Sequence, residues 1–401
     1  MMVNRREFIK RSALATADGL MIPNFLKAFE QQHLDINSVS DKILVIIQLS
    51  GGNDGLNTVI PFRNDIYYRE RPTIAINRDK VLNLNDEIGL NPALEKLRSW
   101  YDNGFMRIIN NVGYPNPDRS HFRSMDIWQT ASNADQYLQT GWLGRYLDAN
   151  CSGNCASYKA LEIDDTLSLA MKGEKLKALS VLEPEKLYRQ VHGDFIAKIA
   201  KSQPAEHSDN VSYLYKTLAE TASSAEYLHT KSKVYQSKAS FPNGELGQRL
   251  KTISELILSG MPTNVYYVSI SGFDTHVNQV GQQERLLRNY AETMDVFLNE
   301  LKQNNKLDDV LLMTFSEFGR RVKQNASGGT DHGTANNVFL MGGKLKTDKV
   351  LNEAPNLTDL DEGDLKYSVD FRKIYATLLR NWLGVNDELV LGKRFDSLNF
   401  V

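Results

Sequence analysis

"KILVIIQLSGG" (42–52) is a continuous apolar run that ends in glycines, the pattern of a strand buried on both faces of a parallel sheet. "MRIINNVGYP" (106–115), "NVYYVSISGFD" (264–274) and "VLLMTFSEFG" (310–319) read the same way. Between the last two, Leu286, Leu287, Tyr290, Met294, Phe297, Leu298 and Leu301 recur at helical spacing. Strand, long helix, strand is a crossover unit. The pattern therefore predicts an α/β fold with a largely parallel sheet covered by helices. "DFRKIYATLLRNWLG" (370–384) predicts a closing amphipathic helix, with Asp370 as N-cap and Gly384 as its stop.

The middle of the chain differs. From about 155 to 260 the sequence is polar and helical in pattern, with little strand signal. The expected division is a signal segment over 1–35, a first part of the α/β core over 36–155, a helical insertion or lid over 156–260, and a second part of the core over 261–401. His192, His207 and His229 lie mostly among polar and charged neighbours and are expected at the surface.

Composition narrows the classes. Of 401 residues, 41% are hydrophobic and 24% charged, and Lys+Arg 47 against Asp+Glu 49 leaves a formal charge of −2. That is an ordinary globular balance, without the basic excess of a nucleic-acid binder. No stretch approaches the roughly 20 apolar residues of a membrane span. The start is distinctive: "NRREFIKRS" (4–12) resembles a twin-arginine export signal, which implies the twin-arginine machinery as a partner and a periplasmic or otherwise exported location. Asp18 and Pro23 interrupt the apolar stretch behind it, so a basic amphipathic helix is the plainer alternative. Cys151 and Cys155, in "CSGNC", are the only cysteines; their spacing suits a small disulfide staple better than a zinc knuckle.

Each strand candidate runs into a polar loop. The first offers Asp54 in "SGGNDGLN", and the second offers Asp118, Arg119, Ser120, His121 and Arg123 in "NPDRSHFRSMDIW". The third offers Asp274 and His276 in "SGFDTH", and the fourth Glu317, Arg320, Arg321, Asp331 and His332. In a parallel sheet these loops share the carboxyl edge, where open α/β folds bind ligands. Asp274 and His276, two apart in an extended segment, project to one side and could grip one cation; capping the following helix is the plain alternative. Of the adjacent Asp331 and His332, the histidine is the expected ligand and the acid an orienting group. Imidazole with carboxylate suits zinc or manganese. Ser120 stands at a helix start, suited either to hold an anion or attack an ester, or simply to cap the helix.

The order "LSGGNDGLN", "PDRSHFRSMDIWQT", "GWLGRYLD", "SGFDTH", "TFSEFGRR", "GTDHGTAN", "DFRKIYATLLRNWLG" resembles an uncharacterised family of twin-arginine-exported bacterial proteins, domain of unknown function 1501, grouped with the alkaline phosphatase and sulfatase superfamily. The resemblance covers essentially the whole chain. It implies a three-layer α/β/α core of alkaline-phosphatase type, with one or two divalent ions at the strand ends. Carried over by motif, Asp54 is similar to the first acid ligand, Ser120 to the hydroxyl nucleophile, Asp274 and His276 to an Asp with its His, and His332 to the last histidine. Glu317-Phe318 stands where an Asp-His pair would be. The acid is lengthened and the imidazole lost, with His121 a candidate replacement.

The resulting expectation is an exported, metal-dependent hydrolase of a phosphate or sulfate ester, small or part of an envelope polymer. Asp54, Asp274, His276, Glu317 and His332 would hold metal; Ser120 and His121 would act on the ester, with Arg119, Arg123 and Arg320 offsetting anionic charge. The alternative is a non-catalytic envelope or polymer-binding protein that keeps the fold and its site.

Overall fold

The computed structural model describes residues 42–151, 156–193, 209–346 and 349–401. The arginine-rich segment over 1–35, Cys155 and His207 lie outside these residues.

The core strands are β1 (Ile43–Leu49), β2 (Met106–Gly113), β3 (Ala160–Glu162), β4 (Leu179–Ser180), β5 (Val265–Ile270), β6 (Val310–Phe315), β9 (Asn336–Gly342) and β10 (Val369–Asp370), with a separate hairpin of β7 (Arg320–Gln324) and β8 (Thr330–His332) between β6 and β9. The eight core strands form one sheet in the order β10-β2-β9-β6-β1-β5-β3-β4. All run parallel except β9, which is antiparallel to both β6 and β2. All four apolar runs are strands of this sheet.

Helices cover both faces. Val45, Ile47 and Leu49 of β1 pack on one face, where α1 (Glu95–Asp102), α4 (Glu245–Leu258) and α5 (Gln279–Gln303) lie. Leu44 and Ile46 point to the other, covered by α2 (His121–Thr130), α3 (Trp142–Asn150) and α6 (Phe371–Thr377). This alternation is the period-2 geometry of a strand, and with both faces dry every β1 residue is buried. Of the periodic apolar positions on α5, Leu287, Tyr290, Met294, Phe297, Leu298 and Leu301 are buried and Leu286 is half-buried, and Tyr290 Oη lies 2.8 Å from Thr314 Oγ1 of β6, which fixes the helix to the sheet. Asp370 caps α6 as expected, accepting from Arg372 N at 3.0 Å.

Two features depart from the sequence reading. The stretch from 156 onward is not purely helical, because β3 and β4 extend the sheet at its edge and α4 covers one face. β9 is a strand that the polar residues before it conceal. An antiparallel neighbour needs only a short connection, so the chain leaves β6, makes the β7–β8 hairpin and returns directly. Asn336 pairs with Val112, which puts the start of β9 at the carboxyl edge of the sheet. A third apolar cluster, including Leu56, Ile60, Val322, Ala335 and Leu365, supports the loops at that edge.

Candidate metal centre

The loops after β1, β2, β5 and β6 leave the sheet at one edge, and the hairpin before β9 joins them there. Close approach of these loops depends on Gly51 and Gly52, which have φ of +118° and +72°. A Cβ on Gly51 would lie 2.4 Å from Asp274 N, and one on Gly52 would overlap the Phe318 ring.

Asp274 is the convergence point. Its Oδ1 lies 3.5 Å from His121 Nε2, 3.0 Å from His276 Nε2 and 3.3 Å from His332 Nε2. The opposite ring nitrogens each face an acceptor. His121 Nδ1 lies 2.9 Å from Glu317 Oε1, His276 Nδ1 3.3 Å from Asp331 Oδ1, and His332 Nδ1 2.7 Å from the Arg119 carbonyl. An acceptor at Nδ1 fixes the proton there and leaves the Nε2 lone pair bare in the neutral ring. The Nε2 atoms of His276 and His332 face each other at 2.9 Å, with Arg320 Nη1 3.4 Å from that of His276, and His121 Nε2 is buried without a hydrogen-bond partner among the described residues. Bare lone pairs gathered around one carboxylate oxygen repel unless a cation stands between them. The donor set therefore fits a metal ion, and the ligand atoms of His121, Asp274 and His332 all lie within 4.8 Å of one another. Three imidazoles and a carboxylate are the donors zinc accepts.

Supporting residues hold this group. Glu317 is fully buried and accepts from Gly51 N at 2.8 Å as well as facing His121. The Phe318 ring packs 4.9 Å from the His121 ring and 4.8 Å from that of His332. Arg320, also buried, donates to the carbonyls of Gly51, Gly52, Phe273 and Thr330 and to Asp274 Oδ1 at 2.6 Å. Burial alone would raise the Asp274 carboxyl, but the hydrogen bond and charge of Arg320 outweigh it and bring its pKa to about 2. Glu317 draws His121 upward, whereas burial pushes His332 down against the pull of the Arg119 carbonyl.

The remaining candidates take other positions. Asp54 is buried, and its Oδ2 receives Arg71 Nη1 and Gln279 Nε2, each at 2.5 Å. Its charge is thus matched by a guanidinium rather than shared with the histidines. Arg123, expected beside an anion, is buried and donates to the carbonyls of Asn133, Ala134 and Gln136 at 3.2, 3.0 and 2.5 Å. Arg119 is bound by Asp364 at 2.5 Å and Glu362 at 3.4 Å. Glu317 sits behind His121, one layer from the convergence point. Ser120 is exposed, and its side chain makes no capping bond with α2. His121, expected to act on the ester and also named as the candidate replacement for the missing imidazole, lies beside Asp274 and His332 in the group that could hold a metal ion. Beside the group, a cleft of about 370 Å³ is lined by Tyr114, Asp118, Glu317, Phe318, Lys366 and Tyr367, among others.

Residues 96–394 match the model of a family described as protein of unknown function (DUF1501). The chain belongs to the DUF1501 family. No curated protein sequence matches this DUF1501 member. Among solved structures it is similar to the zinc complex of the C-terminal periplasmic domain of EcEptC from Escherichia coli, at 12% identity over 76% of this chain and 73% of that one, with a TM-score of 0.36. It is also similar to the lipoteichoic acid synthase LtaP from Listeria monocytogenes, at 12% identity over 90% and 76% of the two chains, TM-score 0.42. A third is an alkaline phosphatase superfamily protein from Vibrio parahaemolyticus, at 10% identity over 88% and 69%, TM-score 0.39. No helix among the described residues of the DUF1501 member is long and apolar enough to cross a membrane.

Proposed function

We propose that this DUF1501 member is a metal-dependent hydrolase of a phosphate or sulfate ester, exported by the twin-arginine route that "NRREFIKRS" resembles. One observation carries the reading: three imidazole Nε2 atoms surround Asp274 Oδ1 while their Nδ1 atoms are held by Glu317, Asp331 and the Arg119 carbonyl. His121, His276, His332 and Asp274 would hold one divalent ion, zinc or manganese. A second ion lacks a comparable donor set among the described residues, because Asp54 is matched by Arg71 and Glu317 by His121 and Gly51 N.

A bound divalent ion would polarise an ester oxygen and favour the deprotonated form of a nearby hydroxyl or water. The protein's own residues do the rest. Glu317, Asp331 and Arg119 aim the imidazoles. Arg320 keeps Asp274 ionised and ties the loops after β1 and β5 to the hairpin. Ser120, next to His121 with a solvent-facing hydroxyl, is the side-chain nucleophile, and the 370 Å³ cleft receives the alcohol portion.

The second reading, an envelope or polymer binder without turnover, is favoured by Phe318, an apolar ring where the resemblance leads one to expect an imidazole. Metal content by mass spectrometry on the purified chain tests the first. About one equivalent of zinc or manganese, lost in Asp274→Ala and His276→Ala, is expected, followed by cleavage of aryl phosphate or sulfate. Absence of metal after supplementation with each cation overturns it; bound metal with ligand capture and no turnover favours the binder.

A further inference from the structure

We infer that the ester taken at this site is a monoanion, a sulfate monoester or a phosphodiester, and not the dianion of a phosphate monoester. The inference rests on the hydrolase reading above and adds the charge class of its substrate.

The argument is one of committed charges. Around the convergence point stand three carboxylates, Asp274, Glu317 and Asp331, against one guanidinium, Arg320. A divalent ion brings that set to neutrality and leaves no surplus. Arg320 is buried with its donors engaged: Nε to Gly52 O at 2.6 Å, Nη1 to Thr330 O at 2.9 Å and toward His276 Nε2 at 3.4 Å, and Nη2 to the Gly51 carbonyl, to Phe273 O at 3.1 Å and to Asp274 at 2.6 Å. It has no fork left to present to a phosphoryl group.

The neighbouring arginines are committed as well. Asp364 is 0% exposed and lies between Arg119, whose Nε donates to its Oδ2 at 2.8 Å, and Arg321, whose Nε donates to its Oδ1 at 3.2 Å. Glu362 adds its carboxylate to Arg119 at 3.4 Å and its carbonyl to Arg321. Two guanidiniums are thus matched by two carboxylates on one small hairpin. The cleft beside the site carries Asp118, Glu317 and Asp361 against Lys366, so it too is a poor host for further negative charge.

The ester is added to a set already at neutrality, so a monoanion leaves one negative charge without a counter-charge and a dianion leaves two. The second would face the carboxylates with its counter-charges already taken, and like charges in a partly desolvated site are strongly disfavoured. The reaction is balanced without another reagent. A water or Ser120 oxygen bonds to sulfur or phosphorus as the bond to the alcohol oxygen breaks. The alcohol leaves with one proton of the water, directly or by way of the serine hydroxyl that water regenerates. For a sulfate ester the second proton of the water passes to solvent, so the product is the sulfate dianion, which by the same argument is held less well than the substrate.

The experiment uses the full chain loaded with zinc. Calorimetric binding of phenyl sulfate, diphenyl phosphate and phenyl phosphate is measured at pH 8, where phenyl phosphate is a dianion, alongside turnover of the matching nitrophenyl esters. At least one monoanion should bind about tenfold or more tighter than phenyl phosphate. In Glu362→Gln, an exposed change that frees part of Arg119, that ratio should narrow roughly two- to fivefold. Phenyl phosphate binding as well as or better than both monoanions overturns the inference. So does binding of none of the three by protein that holds its metal, a result that leaves the metal centre standing. Failure to take up metal is a different result: it removes the hydrolase reading, and this inference falls with it.

Discussion

Asp54 and Arg71 meet at 2.5 Å with both side chains fully buried. The carboxylate that follows the first strand is therefore half of an internal ion pair, and Asn57 and the carbonyls of Arg321 and Val322 take the other donors of the same guanidinium. Removing one member of a buried pair strands the other, at a cost of about 3–5 kcal/mol. Asp54→Ala is expected to lower stability by that order in denaturant unfolding while the refolded protein binds its full complement of metal. Asp54 Oδ1 has no hydrogen-bond partner among the described residues, so the alternative is testable. Lost metal at unchanged stability would make Asp54 a ligand.

Glu317 acts one layer back, through the ring of His121. Glu317→Gln preserves the one oxygen that faces both His121 Nδ1 and Gly51 N, loses the charge, and puts an NH2 group where Oε2 accepts from Ser316 Oγ. Metal affinity measured by competition with a chelator should fall about 10- to 100-fold. A ligand acting directly would be lost more completely, as expected for Asp274→Ala. Equal losses in the two variants would put Glu317 in the coordination sphere.

Much of this edge was legible in the sequence. The four apolar runs identify the sheet, and the parallel rule brings their loops to one side, so the sequence alone predicts Asp274, His276 and His332 at one edge, where the structure brings them together. What sequence could not supply was pairing. Nothing local to "SGGNDGLN" reveals that Asp54 is answered by Arg71, seventeen positions on in an irregular segment. Arg123 reads as a helix-start cation, but its carbonyl acceptors at 133–136 are set by how the chain turns back after α2. For His121 the sequence leaves two roles open, action on the ester or replacement of the missing imidazole; Glu317 and Phe318, which fix its ring, are almost two hundred residues away. The i,i+2 spacing of Asp274 and His276 was visible because it depends on backbone geometry alone.

Glu162 gives a pH signature independent of the metal donors. It closes β3, is buried, and accepts from Ser168 N at 2.7 Å; burial raises its carboxyl to about 7, against that hydrogen bond. A folded pKa above the unfolded value means the folded state holds its proton more tightly. The associated stability is present in full below the unfolded value near 4.5 and is lost as pH rises through about 7. The change is on the order of 3 kcal/mol between pH 4.5 and 8. Glu162→Gln should flatten this part of the stability profile measured by urea unfolding. A wild-type profile that rises over the same interval, with the variant unchanged from it, would show that the carboxylate is held ionised.

Ser120 separates attack by the protein from attack by water. At most helix starts a serine-to-alanine change costs stability by removing a cap, but here the hydroxyl makes no capping bond to α2 and is exposed. Ser120→Ala should therefore shift unfolding by less than about 0.5 kcal/mol. His121, beside it, keeps its contacts, so metal content should be unchanged. If Ser120 oxygen forms the bond to sulfur or phosphorus, turnover of an aryl ester falls by about 100-fold or more in this stable, metal-replete variant, and no covalent ester is trapped on rapid acid quench. Wild-type protein quenched during turnover should carry the added sulfuryl or phosphoryl mass on the peptide containing Ser120. Undiminished turnover in Ser120→Ala, with no such mass in wild type, would assign the attack to water and leave Ser120 as the residue that begins the helix.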